Sequence, residues 1–251
     1  MNRIEKIKEL KNYIQGLSRE QTLCKDGTTY SDIVIDGNSL CKSNPPRKHE
    51  NQHLRIDKIV ESVGDINGKT FIDLGSSSGY MVFRLKELGA GRCVGIEHKA
   101  ELVNISNKIN DIEEYDDINF YRENFVYHID SLPTITGTET FDYGICFSSV
   151  NAICSNDEKW YDVAEWLESV GKMFPVLFVE FSEYITNTLW EDEETKSFLE
   201  SIEVESEREQ EKENIFKRKT EEMFDNLECL KSWKLLGMTD YNRKLYRLDY
   251  K

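Results

Sequence analysis

The chain has few of the residues and patterns that mark secreted, zinc-binding or membrane proteins. Its six cysteines form no CxxC pair, and its four histidines do not cluster with them at metal-ligand spacing. We therefore expect free thiols in a reducing compartment and no metal site. No apolar run reaches the ~18 residues that a membrane span requires, and residues 1–17 contain charges throughout, unlike a secretory signal. These absences predict a cytoplasmic protein.

Basic residues are also in short supply. The chain has 47 acidic and 32 basic residues, a net charge of −15. Residues 191–230 alone hold 15 acids and 6 bases, a net of −9, so the rest of the chain carries −6. Nonspecific binding to polyanions needs a broad basic surface and is disfavoured. A specific nucleic-acid substrate stays open, because most of the acidity lies in one segment.

The acidic segment 191–230 is rich in good helix formers. Its apolar residues are widely spaced, which predicts one or two exposed helices with a narrow buried stripe. Three interpretations stay open for it: a substrate cap, an oligomer contact in a homodimer, or a solvated charged arm.

The remainder of the chain alternates between two hydrophobic periodicities, and no proline-rich or Gly/Ser-rich linker divides it. Strands are predicted at residues 70–75, 92–97, 118–124, 141–149, 175–181, 232–240 and 242–250, and helices at 2–17, 53–63, 80–89, 99–115 and 156–174. Strands that alternate with helices indicate βαβ units and an α/β fold with a parallel sheet covered on both faces. The last two strands predict an antiparallel hairpin. We expect residues 1–50 to form an N-terminal helix with a lid-like extension, and 51–251 to form the main domain.

The segment "FIDLGSSSGY" (71–80) joins the first of these strands to a helix. Ligands of open parallel sheets bind at the carboxyl ends of the strands. Gly75 and Gly79 permit a tight turn and close backbone approach, and the three serines between them offer hydroxyls as well as backbone N–H donors. An ordinary strand–turn–helix connection is the alternative.

Two polar residues follow at the ends of the next strands. Glu97 ends "CVGIE", where a carboxylate can accept hydrogen bonds from both hydroxyls of a ribose. Asn124 and Phe125 follow "INFYRE", where an amide can bind an adenine edge and an aromatic ring can pack on it. A solvated acid at a strand end is the alternative for Glu97.

The order "FIDLGSSSGY", "CVGIE", "NFYREN", "FDYGICFSS", "VLFVEF" and a terminal hairpin resembles the class I S-adenosylmethionine-dependent methyltransferases over roughly residues 50 to 250. The resemblance implies a Rossmann-like, seven-stranded, mostly parallel sheet whose last strand is antiparallel. The cofactor-binding residues that it implies are Asp73, Gly75, Ser76, Ser77, Gly79, Glu97 and Asn124. Their neighbours Tyr80, His98, Phe125 and Phe147 are further candidates for the same site. The chain departs from the family pattern where Ser77 replaces a glycine and Asn124 an aspartate. A dehydrogenase is disfavoured, because GxGxxG is absent.

Methyl transfer from a sulfonium is an in-line displacement that needs alignment, exclusion of water and at most a base. The candidate catalytic residues are Glu180, Glu183, His49 and His53. The candidate substrate-binding residues are Arg47, Arg55, Ser148, Ser149, Asn151 and Tyr184. For the acids, a structural ion pair is the alternative; for residues 47–55, a solvated polar turn followed by a helix.

The sequence therefore predicts a methyltransferase that acts on a hydroxyl or amine of a small molecule, such as a sugar or natural-product intermediate. Methylation of RNA, in particular tRNA, is the first alternative. A non-catalytic binding protein that keeps the fold is the second, and Ser77 is its only support.

Overall fold

The computed structural model describes residues 1–18, 21, 33–35, 38–41, 49–137, 140–147, 160–182, 193–240 and 243–251. The chain divides into two compact units, Met1–Ile145 and Cys146–Lys251. The boundary predicted at residue 50 stays a prediction.

The first unit carries the strand–helix alternation. Its described elements are α1 (Arg3–Gln15), β1 (Ile33–Ile35), β2 (Asn38–Cys41), α2 (His49–Val63), β3 (Phe71–Leu74), α3 (Tyr80–Glu87), β4 (Cys93–Glu97), α4 (Ala100–Glu113), β5 (Ile118–Arg122), a 3₁₀ turn (Ile129–Ser131), α5 (Leu132–Thr136) and β6 (Tyr143–Cys146), whose last residue lies in the second unit.

Parallel pairing of β5, β4, β3 and β6, in that order, gives this unit its sheet. Every residue of β3 and β4 is buried, as expected for central strands covered on both faces. The register places Asp73 of β3 beside Gly95 of β4. The buried β3 acid thus lies near the carboxyl end of the sheet.

Helix α1 buries Leu10 and Ile14 and also contacts α4 through charged side chains. Arg3 and Lys6 donate hydrogen bonds to the carbonyl oxygens of Ile112 and Asp111, in the last turn of α4. Carbonyls at a helix C-terminus lack intrahelical partners and favour nearby cations, and the last turn of α4 has no basic residue of its own. The N-terminal helix therefore supplies the positive charges that α4 lacks.

The second unit contains α6 (Trp160–Gly171), β7 (Val176–Ser182), α7 (Glu193–Glu200), α8 (Glu205–Asn226), β8 (Leu230–Asp240) and β9 (Arg243–Tyr250). Strand β9 pairs antiparallel with both β7 and β8. The core of the second unit includes an aromatic cluster, in which the ring centroids of Phe224 and Tyr246 are 5.1 Å apart.

In the described part of the chain, seven strands form a sheet in the order β5-β4-β3-β6-β7-β9-β8. The predicted fold class, a mostly parallel seven-stranded sheet with an antiparallel C-terminal hairpin, is confirmed. The acidic segment 191–230 contains two helices, α7 and α8, in agreement with the one or two helices predicted for it. No described helix combines the length and apolar character that a bilayer span needs.

Two short features were not predicted. Strands β1 and β2 pair antiparallel within a region expected to be irregular, and the 3₁₀ turn and α5 lie in an expected loop. Helix α2 also begins at His49, four residues before its predicted start.

Candidate functional site

The loop after β3 turns through three left-handed residues. Gly75, Ser77 and Gly79 have φ of 84°, 51° and 84°. The N–H groups of Gly75 and Ser76 both donate to the carbonyl oxygen of Ile96, at 2.8 and 2.9 Å. The loop is thereby fastened to the end of β4.

Close packing explains why glycine occupies two positions around this loop. A Cβ on Gly79 would lie 2.7 Å from a ring carbon of Phe120. A Cβ on Gly95 would collide with the same ring and lie 2.7 Å from Ser76 Oγ. The ring of Phe120, on β5, thus fills the space that both missing side chains leave open.

Glu97 at the tip of β4 is anchored to this loop. The residue is only 5% exposed. Its carboxylate accepts hydrogen bonds from the backbone N–H groups of Ser77 at 3.0 Å and Lys99 at 2.9 Å. His98 Nδ1 lies 2.8 Å from Oε1 of the same carboxylate. A carboxylate has about four acceptor positions, so Glu97 retains capacity for a ligand.

Asp73 is a buried acid close to Glu97. Burial, reinforced by the negative charge of Glu97 and opposed by the positive charge of Arg55, raises the pKa of Asp73 from 3.8 to about 7. Arg55, on α2, is itself buried. A positive charge placed beside Asp73 would lower this pKa and favour the ionised carboxylate.

The three serine hydroxyls of the loop are buried but unsatisfied. Oγ of Ser76, Ser77 and Ser78 has no hydrogen-bond partner among the described residues. Leaving a buried hydroxyl unpaired costs free energy. Three such groups are consecutive in this one loop.

Asn124 organises the turn that follows β5. Its Oδ1 accepts a hydrogen bond from the N–H of Val126 at 3.2 Å, and its carbonyl accepts one from His128 at 3.1 Å. Its amide NH₂ still has donors available for an adenine edge. Phe125, next in the chain, is buried.

Tyr80, at the start of α3, meets His53 of α2. The Tyr80 hydroxyl lies 3.3 Å from His53 Nδ1, and the rings pack edge to face. The structure therefore brings the predicted base candidate His53 to the residue that follows the loop after β3.

Phe147, another predicted cofactor-binding residue, lies directly after β6 and is buried.

Glu180 occupies a different environment from the one predicted. Its residue is 1% exposed, and its carboxylate accepts hydrogen bonds from the Thr239 hydroxyl and from Arg243, whose Nη1 lies 3.2 Å away. A carboxylate that is buried and neutralised in this way favours the structural alternative, an ion pair between β7 and β9. The catalytic role of Glu180 stays a prediction.

The other predicted site residues lie outside the described part of the chain: Arg47, Ser148, Ser149, Asn151, Glu183 and Tyr184. His49 begins α2, but its side chain also lies outside that part.

One contributor to the site was not predicted. Ser106, on α4 and completely buried, donates a hydrogen bond from Oγ to the carbonyl oxygen of Ser77 at 3.3 Å. A single serine within an amphipathic helix gives no signal in the sequence, because its partner lies 29 residues away.

Comparisons with known proteins show the family and the fold. A family model described as a methyltransferase domain matches residues 66–228. A search of curated proteins finds no match. Among solved structures, the chain is similar to magnesium protoporphyrin IX methyltransferase (ChlM) from Synechocystis PCC 6803 with bound S-adenosylmethionine, at 10% identity and a TM-score of 0.50 over 98% of this chain and 97% of that one.

Two further structures share the fold. The N-terminal domain of EvdMO1 with bound S-adenosylhomocysteine is 11% identical, with a TM-score of 0.53 over 72% of this chain and 66% of that one. WbdD, crystallised with a kinase inhibitor, is 16% identical, with a TM-score of 0.52 over 80% of this chain. The chain spans only 41% of the length of WbdD.

Proposed function

The chain belongs to the class I S-adenosylmethionine-dependent methyltransferases, and on that premise we propose that it methylates a hydroxyl or amine of a small molecule. S-adenosylmethionine is its cofactor. The observation that carries the proposed site is the serine loop fastened to Glu97, with three buried hydroxyls that lack partners among the described residues.

The loop and its neighbours suit the parts of this cofactor. The acceptor capacity that Glu97 retains suits a ribose hydroxyl. Asn124 and Phe125 suit the adenine ring. Asp73 and the serine loop suit the methionine part, whose ammonium and sulfonium charges would favour the ionised form of Asp73.

The cofactor supplies a methyl group activated by a positive sulfur. The chain has to orient the acceptor in line with that group and exclude water. The cofactor loop packs against the buried strands β3 and β4 and the ring of Phe120, which hold it in place. His53 is the base candidate within the described residues, because Tyr80 fixes it beside the loop.

Charge near the site favours a small molecule over RNA. The described residues that follow β4 and β5, 98–101 and 123–131, contain three acids and one lysine. RNA binding needs a basic surface for phosphates. EvdMO1 has been crystallised in the presence of D-fucose, and ChlM is a porphyrin methyltransferase; both contexts are compatible with a small acceptor, a sugar or natural-product intermediate. The homodimer contact through 191–230 stays a prediction.

Calorimetric titration with S-adenosylmethionine and S-adenosylhomocysteine tests the site directly. We expect micromolar binding of both by the wild-type protein and its loss in Glu97→Ala. Asp117→Ala is the matched control, because Asp117 is a half-exposed acid of the same unit that pairs with Lys86 before β5 begins. Equal binding by both variants would remove Glu97 from the site.

A panel of sugars, amines and short RNAs, assayed with radiolabelled methyl donor, then tests the acceptor class. Transfer to RNA alone would overturn the small-molecule proposal. Failure of the wild-type protein to bind either cofactor form at millimolar concentration would favour the non-catalytic alternative.

A further inference from the structure

Ser77 is a serine in a backbone conformation that glycine adopts more easily. Its φ is 51°, in the left-handed region where a Cβ crowds the following carbonyl. Such a conformation persists only where surrounding contacts impose it. The contacts around Ser77 therefore have to offset a local conformational cost.

Both peptide groups of Ser77 are held by the segment that begins at β4. The N–H of Ser77 donates to Glu97 Oε2 at 3.0 Å, and the carbonyl of Ser77 accepts from Ser106 Oγ at 3.3 Å. Each contact comes from a different element, the first from the end of β4 and the second from the middle of α4. Together they fix the orientation of the residue.

Ser106 contacts a carbonyl oxygen outside its own helix as well as one within it. The Ser106 hydroxyl also reaches the Leu102 carbonyl at 3.0 Å, the ordinary bond of a helical serine to the residue four positions earlier. A serine hydroxyl has one proton to donate, so the carbonyl oxygens of Leu102 and Ser77 share it in a three-centre bond. The part of this bond that goes to Ser77 places α4 against the cofactor loop.

We propose that Ser106 is a positioning residue of the cofactor site. It holds Ser77 in the left-handed conformation, so that the loop and Glu97 are aligned before the cofactor binds. This inference rests on the proposed function, since it assigns a role to Ser106 within the same site. It does not require the acceptor to be known.

Three variants distinguish a role of Ser106 in positioning the loop from a contribution to the stability of the fold alone. Ser106→Ala removes the tether. Ser77→Gly removes the need for it, because glycine adopts φ of 51° without a Cβ clash. Thr136→Val is the matched control: the buried Thr136 hydroxyl bonds its own helix at Leu132, and Thr136 does not belong to the cofactor loop.

The measurement is S-adenosylhomocysteine affinity by calorimetry, with urea midpoints recorded for each variant. We expect Ser106→Ala to weaken binding about fivefold, the size of one ordinary hydrogen bond. In the Ser77→Gly background the same change should weaken binding less than about twofold. Thr136→Val should lower the urea midpoint without changing affinity.

Equal losses in both backgrounds, or no loss in either, would overturn the inference. Hydrogen exchange at the Ser77 amide, measured without any ligand, keeps the test independent of the proposed function. Ser106→Ala should exchange faster than wild type at this amide, and unchanged exchange would also refute the inference. Absence of wild-type binding would instead refute the proposed cofactor site.

Discussion

Two buried acid sites, one in each unit, differ in how completely their charges are neutralised. In the second unit, Glu180 has an arginine and a hydroxyl on its carboxylate, and its side chain is fully buried. In the first unit, burial and the negative charge of Glu97 raise the pKa of Asp73, and Arg55 offsets only part of this effect. Among the described residues, Glu180 is therefore neutralised by its partners, whereas Asp73 and Glu97 face less positive charge than they carry negative charge.

The contrast distinguishes a structural acid from a binding one. A fully paired buried carboxylate stabilises the fold and offers nothing to a ligand. A buried pair of acids with a deficit of positive charge costs stability until a cation or a hydrogen-bond donor arrives. The cofactor of this family brings both. The four predictions below test this distinction, in order of expected effect.

Removing the structural acid should damage stability most. Glu180→Ala removes the carboxylate that neutralises the nearly buried Arg243, which should lower the free energy of unfolding by about 4 kcal/mol, measured by urea denaturation. Cofactor affinity of the remaining folded protein should not change. Asp249→Ala, which breaks the partly exposed pair with Arg247, is the control and should cost about 1 kcal/mol or less. A loss of affinity in Glu180→Ala would restore a site role for Glu180.

Neutralising Asp73 should have the next largest effect, and it should depend on pH. Because the pKa of Asp73 rises from 3.8 to about 7 on folding, the native state binds more protons than the unfolded state between those values. Wild-type stability should therefore fall, relative to Asp73→Asn, as the pH rises through this window, and the difference should level off above it. The total should be about 4 kcal/mol, because each pKa unit corresponds to about 1.4 kcal/mol.

Urea denaturation of both proteins across that pH range measures the difference. A flat difference would mean that Asp73 is ionised throughout. Calorimetry of cofactor binding near pH 6 in two buffers of unlike ionisation enthalpy adds a second check, because binding that ionises Asp73 should release a proton.

Replacing Glu97 by glutamine should weaken the site moderately. A charged acceptor forms stronger hydrogen bonds than a neutral one, so Glu97→Gln should reduce S-adenosylhomocysteine affinity about thirtyfold. It should also lower the pKa of Asp73, since the repulsion between the two acids disappears. The pH window of the previous experiment should then move to lower pH, and an unmoved window would show that the two acids are not coupled.

The smallest effect is expected at His98. Its side chain is about half exposed, and it meets Glu97 at the surface of the site. Exposed pairs contribute ~1 kcal/mol or less, so His98→Ala should change cofactor affinity less than about threefold. A tenfold loss in the same titration would mean that His98 borders the adenosine directly.

The sheet and its connections could be predicted because they depend on local patterns. Apolar runs such as residues 71–74 and 93–97 are short, buried and bounded by turn residues, and these features identify parallel strands. The hairpin of β1 and β2 escaped prediction because its strands are three and four residues long. Such short strands pair with each other and show little periodicity.

The site was predictable only where its residues follow strand ends. Asp73, Glu97 and Asn124 each stand at a fixed point of the alternation, so their sequence positions placed them near one edge. The partners of Glu180 lie 59 and 63 residues away from it, and no local pattern reports such a contact. The role of Ser106 was hidden for the same reason.

The docking of α1 on α4 also has a consequence for how the chain is made. The contacts of Arg3 and Lys6 span 109 and 105 residues. At ~5–20 residues per second, the ribosome needs roughly 5 to 20 s to deliver α4 after α1. Throughout that interval Leu10 and Ile14, which are buried in the finished protein, have no helix to cover them. The newly made segment therefore keeps two apolar side chains exposed until α4 emerges.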